Sequence, residues 1–393
     1  MLHKGLVLAR DFLSGSLLLT IVVAGCKSDA STKNGDYSAY MADYEPPSGK
    51  WGFVNAKGKI CIDPKYDDVG PFSEGLAAVN LKGLWGYIDQ SGEIMIKPSF
   101  KSAWTFRERK SRIQPFEHPQ VFIQRNGNII ESGDWSADGD FSEGRARVKV
   151  GKSFGYIDST GHLIIQPIYS RGWNFKNGIC IVEFHEKFGV IDPNGIYILK
   201  PAFDYIGPAG NDSILLCLKQ KTAFAIDRQG HELASFSDSR MMDSDGSIIS
   251  VKNNEGIYLY DLLQKKAGNA LAFSDVIYLN NAMWLGKTKD GFVLIDRNGS
   301  PKSTMYYQQV NKYSEGLAAY CKDGFWGYLD TSGKEKINNV FGIAWNYKDH
   351  FARASFSDGI AFIDSSQVLA FYPPTGTIEM RDFSEGLAAI QIQ

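Results

Sequence analysis

A short aromatic-glycine phrase recurs along this 393-residue chain at nearly constant intervals. Its best copies read WGYID, and successive copies start 34 or 35 residues apart. The ten starting positions are Trp51, Trp85, Gln120, Phe154, Phe188, Ala223, Ile257, Phe292, Trp326 and Ile360. A second phrase, FSEG or YSEG, follows 21 residues later in the clearest units, as at Phe72 and Tyr313. A unit of this length cannot bury its own apolar face, so the units must stack on one another.

The residues inside one unit indicate strands and not helices. A period near 34 is also that of helical tetratricopeptide arrays. However, residues 76–98 contain two tight-turn pairs, Lys82-Gly83 and Ser91-Gly92, and no helix tolerates both. We therefore predict an all-β fold of about ten three-stranded repeats of about 34 residues. The prolines after the third strand are predicted to end it, because proline cannot donate to a strand ladder. They are Pro64, Pro98, Pro167 and Pro201.

The two ends of the repeat array carry complementary halves of one unit. The array starts with a WG half at Trp51 and ends with an FSEGLA half at Phe383. Pairing the halves would remove exposed strand edges, so we favour a propeller-like ring closed by the last strand on the first. Two alternatives remain: an open β-repeat array with capping end units, and two lobes divided near the degenerate units at 223–291.

The N-terminal residues form a separate segment. Residues 12–24 are a short apolar run, too short to span a bilayer comfortably, and it ends in Val23-Ala24-Gly25-Cys26. This ending resembles the lipobox of bacterial lipoproteins. We predict a signal peptide at 1–25, lipidation of Cys26, a flexible polar tether at 26–48, and a β domain at 49–393. Lys27 follows the cysteine where some lipoproteins carry an inner-membrane aspartate signal, which favours the outer membrane of the cell envelope.

The repeated phrases resemble those of the WG-repeat family, whose motif matches are Trp51-Gly52, Trp85-Gly86 and Trp326-Gly327. The linked FSEG phrases and the fixed phase extend the resemblance over residues 49–393. It implies a bacterial, mostly β, repeat-built protein. The family is defined by a structural motif, so the resemblance assigns no catalytic residues, and we expect the six WG residues to be structural.

The acidic residues follow the repeat and do not form a singular reactive group. Eight aspartates share one phase, each leading into a turn that its side chain can cap. They are Asp89, Asp158, Asp192, Asp227, Asp261, Asp296, Asp330 and Asp364. The FSEG glutamates Glu74, Glu143, Glu315 and Glu385 are assigned the same turn role. A catalytic carboxylate is usually unique in its pocket, so we predict no catalytic residue among them.

Other chemical signatures are missing from the sequence. The six histidines are scattered and show no metal-ligand spacing, and there is no nucleotide- or cofactor-binding motif, so we expect neither metal nor cofactor. A formal net charge of −2 gives no basic field for nucleic acid. Cys61, Cys180 and Cys217 have apolar neighbours and are predicted to be small buried residues.

Three tryptophans outside the WG phrase are the candidate ligand-binding residues. Trp104, Trp173 and Trp345 each lie two residues before the FSEG-phase aromatic of their unit, where other units carry glycine. A position that accepts both residue types suggests an exposed connection, and exposed aromatics suit a glycan or a peptide. The competing interpretation is that they fill gaps between units.

Two functional classes follow from these observations. The first is a non-enzymatic binding or scaffold protein on the bacterial envelope, held at the membrane by the lipid on Cys26 and recognising a protein or a glycan. The second is an envelope hydrolase that would need non-repeated carboxylates in one cleft, for example Glu183 and Glu186. The sequence favours the binding class.

Overall fold

The regular structure of the described residues is entirely β-strand. The computed structural model describes residues 48–130, 133–208, 213–366 and 369–393, where 37 strands form ten antiparallel sheets. These residues belong to a single compact unit, which does not divide into two lobes. Within these ranges no helix is long and apolar enough to cross a membrane. The predicted signal peptide, Cys26 and residues 27–47 of the tether lie outside the described residues.

The strands follow one another in chain order. The first nineteen are β1 Lys50–Asn55, β2 Ile60–Tyr66, β3 Asp68–Val69, β4 Leu76–Leu81, β5 Leu84–Asp89, β6 Ile94–Phe100, β7 Ser102–Ala103, β8 Lys110–Gln114, β9 Val121–Gln124, β10 Ile129–Ile130, β11 Ser136–Ala137, β12 Ala146–Val150, β13 Ser153–Ile157, β14 Leu163–Tyr169, β15 Arg171–Gly172, β16 Cys180–Phe184, β17 Lys187–Ile191, β18 Tyr197–Phe203 and β19 Tyr205–Pro208. The others are β20 Ile214–Lys219, β21 Thr222–Asp227, β22 Glu232–Ser237, β23 Arg240–Ser244, β24 Ile248–Asn253, β25 Gly256–Asp261, β26 Lys266–Ala267, β27 Asp275–Asn280, β28 Met283–Lys287, β29 Phe292–Ile295, β30 Gln309–Val310, β31 Leu317–Lys322, β32 Phe325–Asp330, β33 Glu335–Phe341, β34 Phe351–Phe356, β35 Gly359–Asp364, β36 Thr377–Ser384 and β37 Leu387–Ile392.

Most sheets contain one strand more than the predicted three. Eight of the ten sheets have four strands, because a short strand precedes the FSEG phrase, as in the sheet β3-β4-β5-β6. Two-residue turns join the strands: Glu74 and Gly75 have φ of 53° and 77°, and Lys82 and Gly83 have φ of 54° and 82°. Positive φ at both central residues is the turn geometry that matches strand twist. The all-β repeat architecture is thus confirmed, and the strand count was wrong by one short strand.

The glycine of the WG phrase lies against a bulge in the neighbouring end strand. Between Trp85 and Tyr87 on β5, the partner strand β6 advances four residues. A Cβ on Gly86 would lie 2.5 Å from the carbonyl oxygen of Ile96 and 2.6 Å from the nitrogen of Pro98. The WG phrase therefore requires glycine, because the backbones of β5 and β6 approach each other too closely for a side chain. We predicted that the prolines end the third strand, and this was wrong. Strand β6 continues past Pro98 to Phe100, and Pro98 lies in the bulge of this end strand.

Pairs of aromatic rings join each sheet to the next. Tyr87 of one WG phrase packs edge-to-face on Phe106, which belongs to the next sheet, with ring centroids 4.8 Å apart, and Phe53 packs on Phe72 in the same way at 4.8 Å. Ten clusters of buried apolar side chains surround such contacts, each between two neighbouring sheets. The ring partners lie 19 residues apart in the chain, and the same contact recurs 34 residues later, so the period is the spacing between equivalent interfaces.

The first and last strands of the array belong to one sheet, with strand order β2-β1-β37-β36. We call it the shared sheet. Its register runs from Lys50 opposite Ile392 to Asn55 opposite Leu387, which is the pairing that the closure hypothesis predicts. One face packs on Val69 and Phe72 of the next sheet, and the other on Phe362 of the last. The shared sheet thus joins the last part of the array to the first by strand pairing. No individual sheet in the described part closes on itself.

The cysteines follow the burial of their strands. Cys180 and Cys217 are buried, as predicted. Cys61 is exposed, contrary to the prediction. It lies on β2, the end strand of the shared sheet, where burial alternates and Ile62 takes the covered side.

Candidate functional site

The three candidate tryptophans occupy one equivalent position at three different sheets. In each case the carbonyl oxygen of the tryptophan accepts a hydrogen bond from the tyrosine of the preceding WG phrase. The pairs are Tyr87–Trp104 (2.9 Å), Tyr156–Trp173 (2.9 Å) and Tyr328–Trp345 (2.6 Å). At least one other sheet lies between any two of them. The structure therefore fixes three separate positions and does not gather the tryptophans into one pocket.

Two of these indoles are half-buried beneath an arginine eight residues later. The guanidinium of Arg112 lies 4.4 Å from the ring centroid of Trp104, and that of Arg353 lies 4.7 Å from the ring of Trp345. Each arginine also donates to a backbone carbonyl of the following sheet, Arg112 to Asp138 at 2.6 Å. At these two positions the gap-filling interpretation describes the contacts better, because the covering arginine links neighbouring sheets.

Trp173 differs from the other two, because no arginine or lysine in the described part of the chain lies over its ring. Its side chain is 45% exposed. The residue eight positions later is Ile181, whose carbonyl accepts the Trp173 N–H at 3.2 Å and whose side chain cannot form a cation–π contact. The exposed edge of the indole faces solvent, and Phe188 packs against the ring at 6.0 Å, tilted by 49°. From the sequence, the three tryptophans were treated as equivalent. The residue eight positions later distinguishes them, because it is arginine after Trp104 and Trp345 and isoleucine after Trp173.

A buried polar pair supports the backbone behind Trp173. The Trp173 carbonyl accepts hydrogen bonds from Tyr156 and from the Cys180 thiol, whose Sγ lies 3.0 Å away. Burial raises the pKa of the Cys180 thiol to about 11, so it stays protonated and remains a donor. The thiol is consequently a support for the site and not a nucleophile.

The WG tryptophans are largely core residues. Trp51 is buried at 3% exposure, while Trp85 and Trp326 are partly buried and pack against the apolar clusters beside them. Arg381 stacks on Trp51 with its guanidinium 4.1 Å from the ring centroid.

The repeated aspartates cap turns, as predicted. The Oδ1 atom of Asp89 accepts the N–H groups of Ser91 and Glu93, at 2.9 and 3.0 Å. The hydrogen bond from the Ser91 hydroxyl contributes most to holding the pKa of Asp89 below its ordinary value of 3.8, and Ser332 does the same for Asp330. Asp89 and Asp330 therefore serve their own turns as caps.

The FSEG glutamates do not cap their own turns, contrary to the prediction. Glu385 accepts the N–H groups of Glu74 and Gly75 in the next sheet, at 2.6 and 2.8 Å. We call this contact a carboxylate clasp: an acidic side chain in one turn holds one or both N–H groups of the equivalent turn in the following sheet. Six residues make it in the described part of the chain: Glu315, Asp349, Glu385, Glu74, Glu108 and Glu143. Sequence reasoning missed it because its partner is backbone.

The acidic pair considered for hydrolysis does not form a cleft. Glu183 lies on β16 and pairs with Arg171 at 3.2 Å, whereas Glu186 lies in the following hairpin turn with φ of 61°. Across the residues that the structure covers, no group of three or more His, Cys, Asp or Glu side chains could hold a metal ion. In the DSDG stretch at 243–246, Asp243 and Ser244 end β23, and the carboxylate of Asp245 accepts the Ser247 N–H at 2.8 Å in the bend that follows.

The WG containing repeat matches this chain at four places, residues 51–85, 85–110, 154–188 and 294–324. The chain therefore contains WG repeats, and the resemblance seen in the sequence is confirmed. No curated protein sequence matches it.

Solved structures similar to this chain share little sequence with it. BamB from Moraxella catarrhalis is 13% identical, with 83% of this chain and 96% of that chain covered and a TM-score of 0.35. A eukaryotic initiation factor is 9% identical, with coverages of 87% and 98% and a TM-score of 0.43. Kluyveromyces lactis Hsv2 is 10% identical, with coverages of 70% and 93% and a TM-score of 0.31. Because these scores are below 0.5, the proposals below depend on the contacts of this chain alone.

Proposed function

We propose that this WG-repeat protein is a non-enzymatic binding scaffold of the bacterial envelope that recognises a protein or a glycan through Trp173. The observation that carries the proposal is the exposure of that indole, 45%, at a position where the related tryptophans are covered by arginine. This exposure is informative, since the tryptophans at the two equivalent positions, Trp104 and Trp345, are half-buried. Exposed tryptophan and tyrosine are typical anchors of binding surfaces.

The backbone of Trp173 supports this role because it is held from both sides. Its N–H donates to Ile181, and its carbonyl accepts from Tyr156 and Cys180. A ring on a fixed backbone loses little conformational entropy when a ligand stacks on it, so more of the contact energy appears as affinity.

A second exposed aromatic lies on the neighbouring sheet. Tyr205, on β19, is 57% exposed, and β19 begins two residues after β18, the end strand of the Trp173 sheet. Trp173 and Tyr205 both present an apolar ring with a polar hydrogen-bonding group, which suits the alternating CH and OH groups of a sugar as well as an extended peptide.

The same proposal includes the membrane anchor. Lipidation at Cys26 would hold the array on the envelope, with residues 27–48 as the tether, and Lys27 favours the outer membrane. Metabolic labelling with a palmitate analogue, compared between the native chain and Cys26→Ser, tests this part directly. Label retained in Cys26→Ser would contradict it.

Binding of full-length protein to arrays of envelope glycans, host glycans and peptides tests the recognition part. We expect a hit whose affinity falls at least about tenfold in Trp173→Ala, since loss of a central aromatic anchor costs about 2 kcal/mol. Phe325→Ala is the matched control, because Phe325 is also exposed, at 53%, but lies at the start of β32 in a different sheet.

Two outcomes would contradict the proposal. One is a ligand bound equally by the native protein and by Trp173→Ala, with both variants folded by circular dichroism. The other is chemical conversion of the bound ligand, which would make the protein an enzyme.

A further inference from the structure

The series of carboxylate clasps has an open start. It runs without interruption from Glu315 through Asp349, Glu385, Glu74 and Glu108 to Glu143, and it crosses the shared sheet on the way. Each member holds the turn that follows it. The turn of Glu315 is the first in the series, so its own N–H groups have no clasp from the preceding sheet.

The two N–H groups at this first turn belong to Glu315 and Gly316. Among the described residues, neither the Glu315 N–H nor the Gly316 N–H has a hydrogen-bond acceptor. The carboxylate of Glu315 itself points onward, accepting the His350 N–H at 2.8 Å. Both residues of the turn are exposed.

The reason lies in the preceding unit. The units that make a clasp carry an acidic residue in this turn, whereas the β27–β28 turn consists of Asn281 and Ala282, with φ of 52° and 57°. Asn280 pairs with Met283, so the turn has two residues, like the FSEG turn, but it has no carboxylate to offer. The clasp is therefore missing because the β27–β28 turn lacks an acidic residue. The Glu315–Gly316 turn, which would receive the clasp, is unchanged.

The receiving turn already has the shape of the occupied ones. Glu315 and Gly316 have φ of 51° and 82°, compared with 52° and 82° for Glu385 and Gly386. The Ser314 hydroxyl donates to the carbonyl of Tyr347 at 2.6 Å, which anchors the turn to the next sheet. Two successive N–H groups in such a turn form a preorganised concave site for an anion.

We infer that the N–H groups of Glu315 and Gly316 bind a glutamate side chain of an acidic peptide, in the place where a clasp would lie. The equivalent N–H pairs show the ligand chemistry: those at 74–75, 143–144 and 177–178 each hold one glutamate carboxylate through both groups. The site is open, because a Cβ on Gly316 would meet only the Thr331 methyl, at 4.0 Å.

Neighbouring charge favours a peptide over a small free acid. The turn that contains Thr331 continues to Gly333 and Lys334, which line a cavity of about 590 Å³ together with Lys302 and Met305. The cavity lies beside the loop that follows β29, where the sheet β27-β28-β29 has three strands. Its lining also carries Glu335, whose carboxylate lies 3.7 Å from the Lys322 ammonium, so the two lysines leave an excess of positive charge that suits an acidic segment.

Gly316 can be observed directly by selective labelling. With ¹³C-carbonyl glutamate and ¹⁵N glycine, only Glu-Gly pairs give signals, and this chain has five such glycines, at 75, 144, 256, 316 and 386. Gly75, Gly144 and Gly386 already donate to carboxylates and serve as internal references. Gly256 donates to the side chain of Asn253 and lies outside the series, so it controls for general effects.

The test is a titration of full-length protein with a blocked peptide that contains one glutamate, and with the same peptide carrying glutamine. We expect the Gly316 amide proton to move downfield, towards the reference glycines, with glutamate only, and the shift to saturate. A Gly316 signal that stays in place, or that moves equally with the glutamine peptide, would overturn the inference. This result is independent of Trp173 binding.

A variant locates the site. Asn281→Glu restores an acidic residue to the preceding turn, so we expect the Gly316 signal of the free protein to move downfield and the peptide affinity to fall at least about tenfold. Unchanged affinity in this variant would place the peptide elsewhere and reject the site.

Discussion

The backbone N–H of Glu74 donates a hydrogen bond of 2.6 Å to the carboxylate of Glu385, which is 311 residues away in the sequence. The same glutamate also holds Gly75, at 2.8 Å. This clasp joins the end of the chain to its first complete sheet by the contact used inside the array. The junction is therefore built as an ordinary repeat interface, with the same turn and the same carboxylate.

Removing the charge of that carboxylate should weaken the junction. We expect Glu385→Gln to lower the free energy of unfolding by about 1 kcal/mol, because a charge-assisted hydrogen bond becomes a neutral one at an exposed site. Urea unfolding measures it. Glu255→Gln is the control, since Glu255 is exposed and makes no clasp, and equal destabilisation by both variants would contradict the role of the clasp.

Adding a methyl group to the WG glycine should disturb its sheet. Gly86→Ala would place a Cβ 2.5 Å from the carbonyl oxygen of Ile96, so the bulge of β6 must move, at a cost of about 1–3 kcal/mol. Gly70→Ala is the control, because its Cβ would meet Ala78 at an ordinary 3.6 Å. If thermal unfolding midpoints of the two variants coincide, the close approach is not what requires glycine.

Acid should release the aspartate caps. The pKa of Asp89 is lowered by the Ser91 hydroxyl, so its contribution to stability is fully present above its ordinary value of 3.8 and is lost as pH falls through the lower folded value. Asp89→Asn keeps a capping oxygen but does not titrate. We expect this variant to lose less stability than the native protein between about pH 5 and pH 2 in urea titrations. Asp134→Asn, outside the repeated position, should follow the native curve.

Covering Trp173 should protect it. Ile181→Arg would place a guanidinium where Arg112 covers Trp104. A cation–π contact of about 0.5–1 kcal/mol should slow oxidation of Trp173 by N-bromosuccinimide about two- to fivefold, as read by peptide mass spectrometry. Ile181→Lys tests whether the planar arginine is needed. An unchanged rate in Ile181→Arg would show that the exposure of Trp173 has another cause.

The repeat period made most of the architecture predictable. The spacing of the WG and FSEG phrases reports which aromatic rings meet between sheets, and the complementary ends indicated the pairing of β1 with β37. The short first strand of each sheet was missed because two residues, as in Asp68–Val69, are too few to show an alternating pattern. Pro98 was misplaced because proline is equally compatible with a strand end and with a bulge.

The candidate site was predictable only in part. The sequence singled out Trp173, but its exposure depends on Ile181 in place of an arginine, a relationship that only strand pairing shows. The clasps were invisible for a different reason. Their partners are backbone N–H groups, which every residue except proline has, so the recurring glutamate signals a contact without naming its partner.

The pairing of β1 with β37 also determines when the shared sheet can be completed during biosynthesis. One partner of β1 is the adjacent hairpin strand, whereas the other lies about 340 residues later, as the hydrogen bond between Gln391 and Gly49 illustrates. Until the ribosome has released that final strand, one edge of β1 is available to any other extended segment, including a second nascent chain. Such a long-range contact also slows folding. We therefore expect this protein to need a holding chaperone between synthesis and completion of its last sheet.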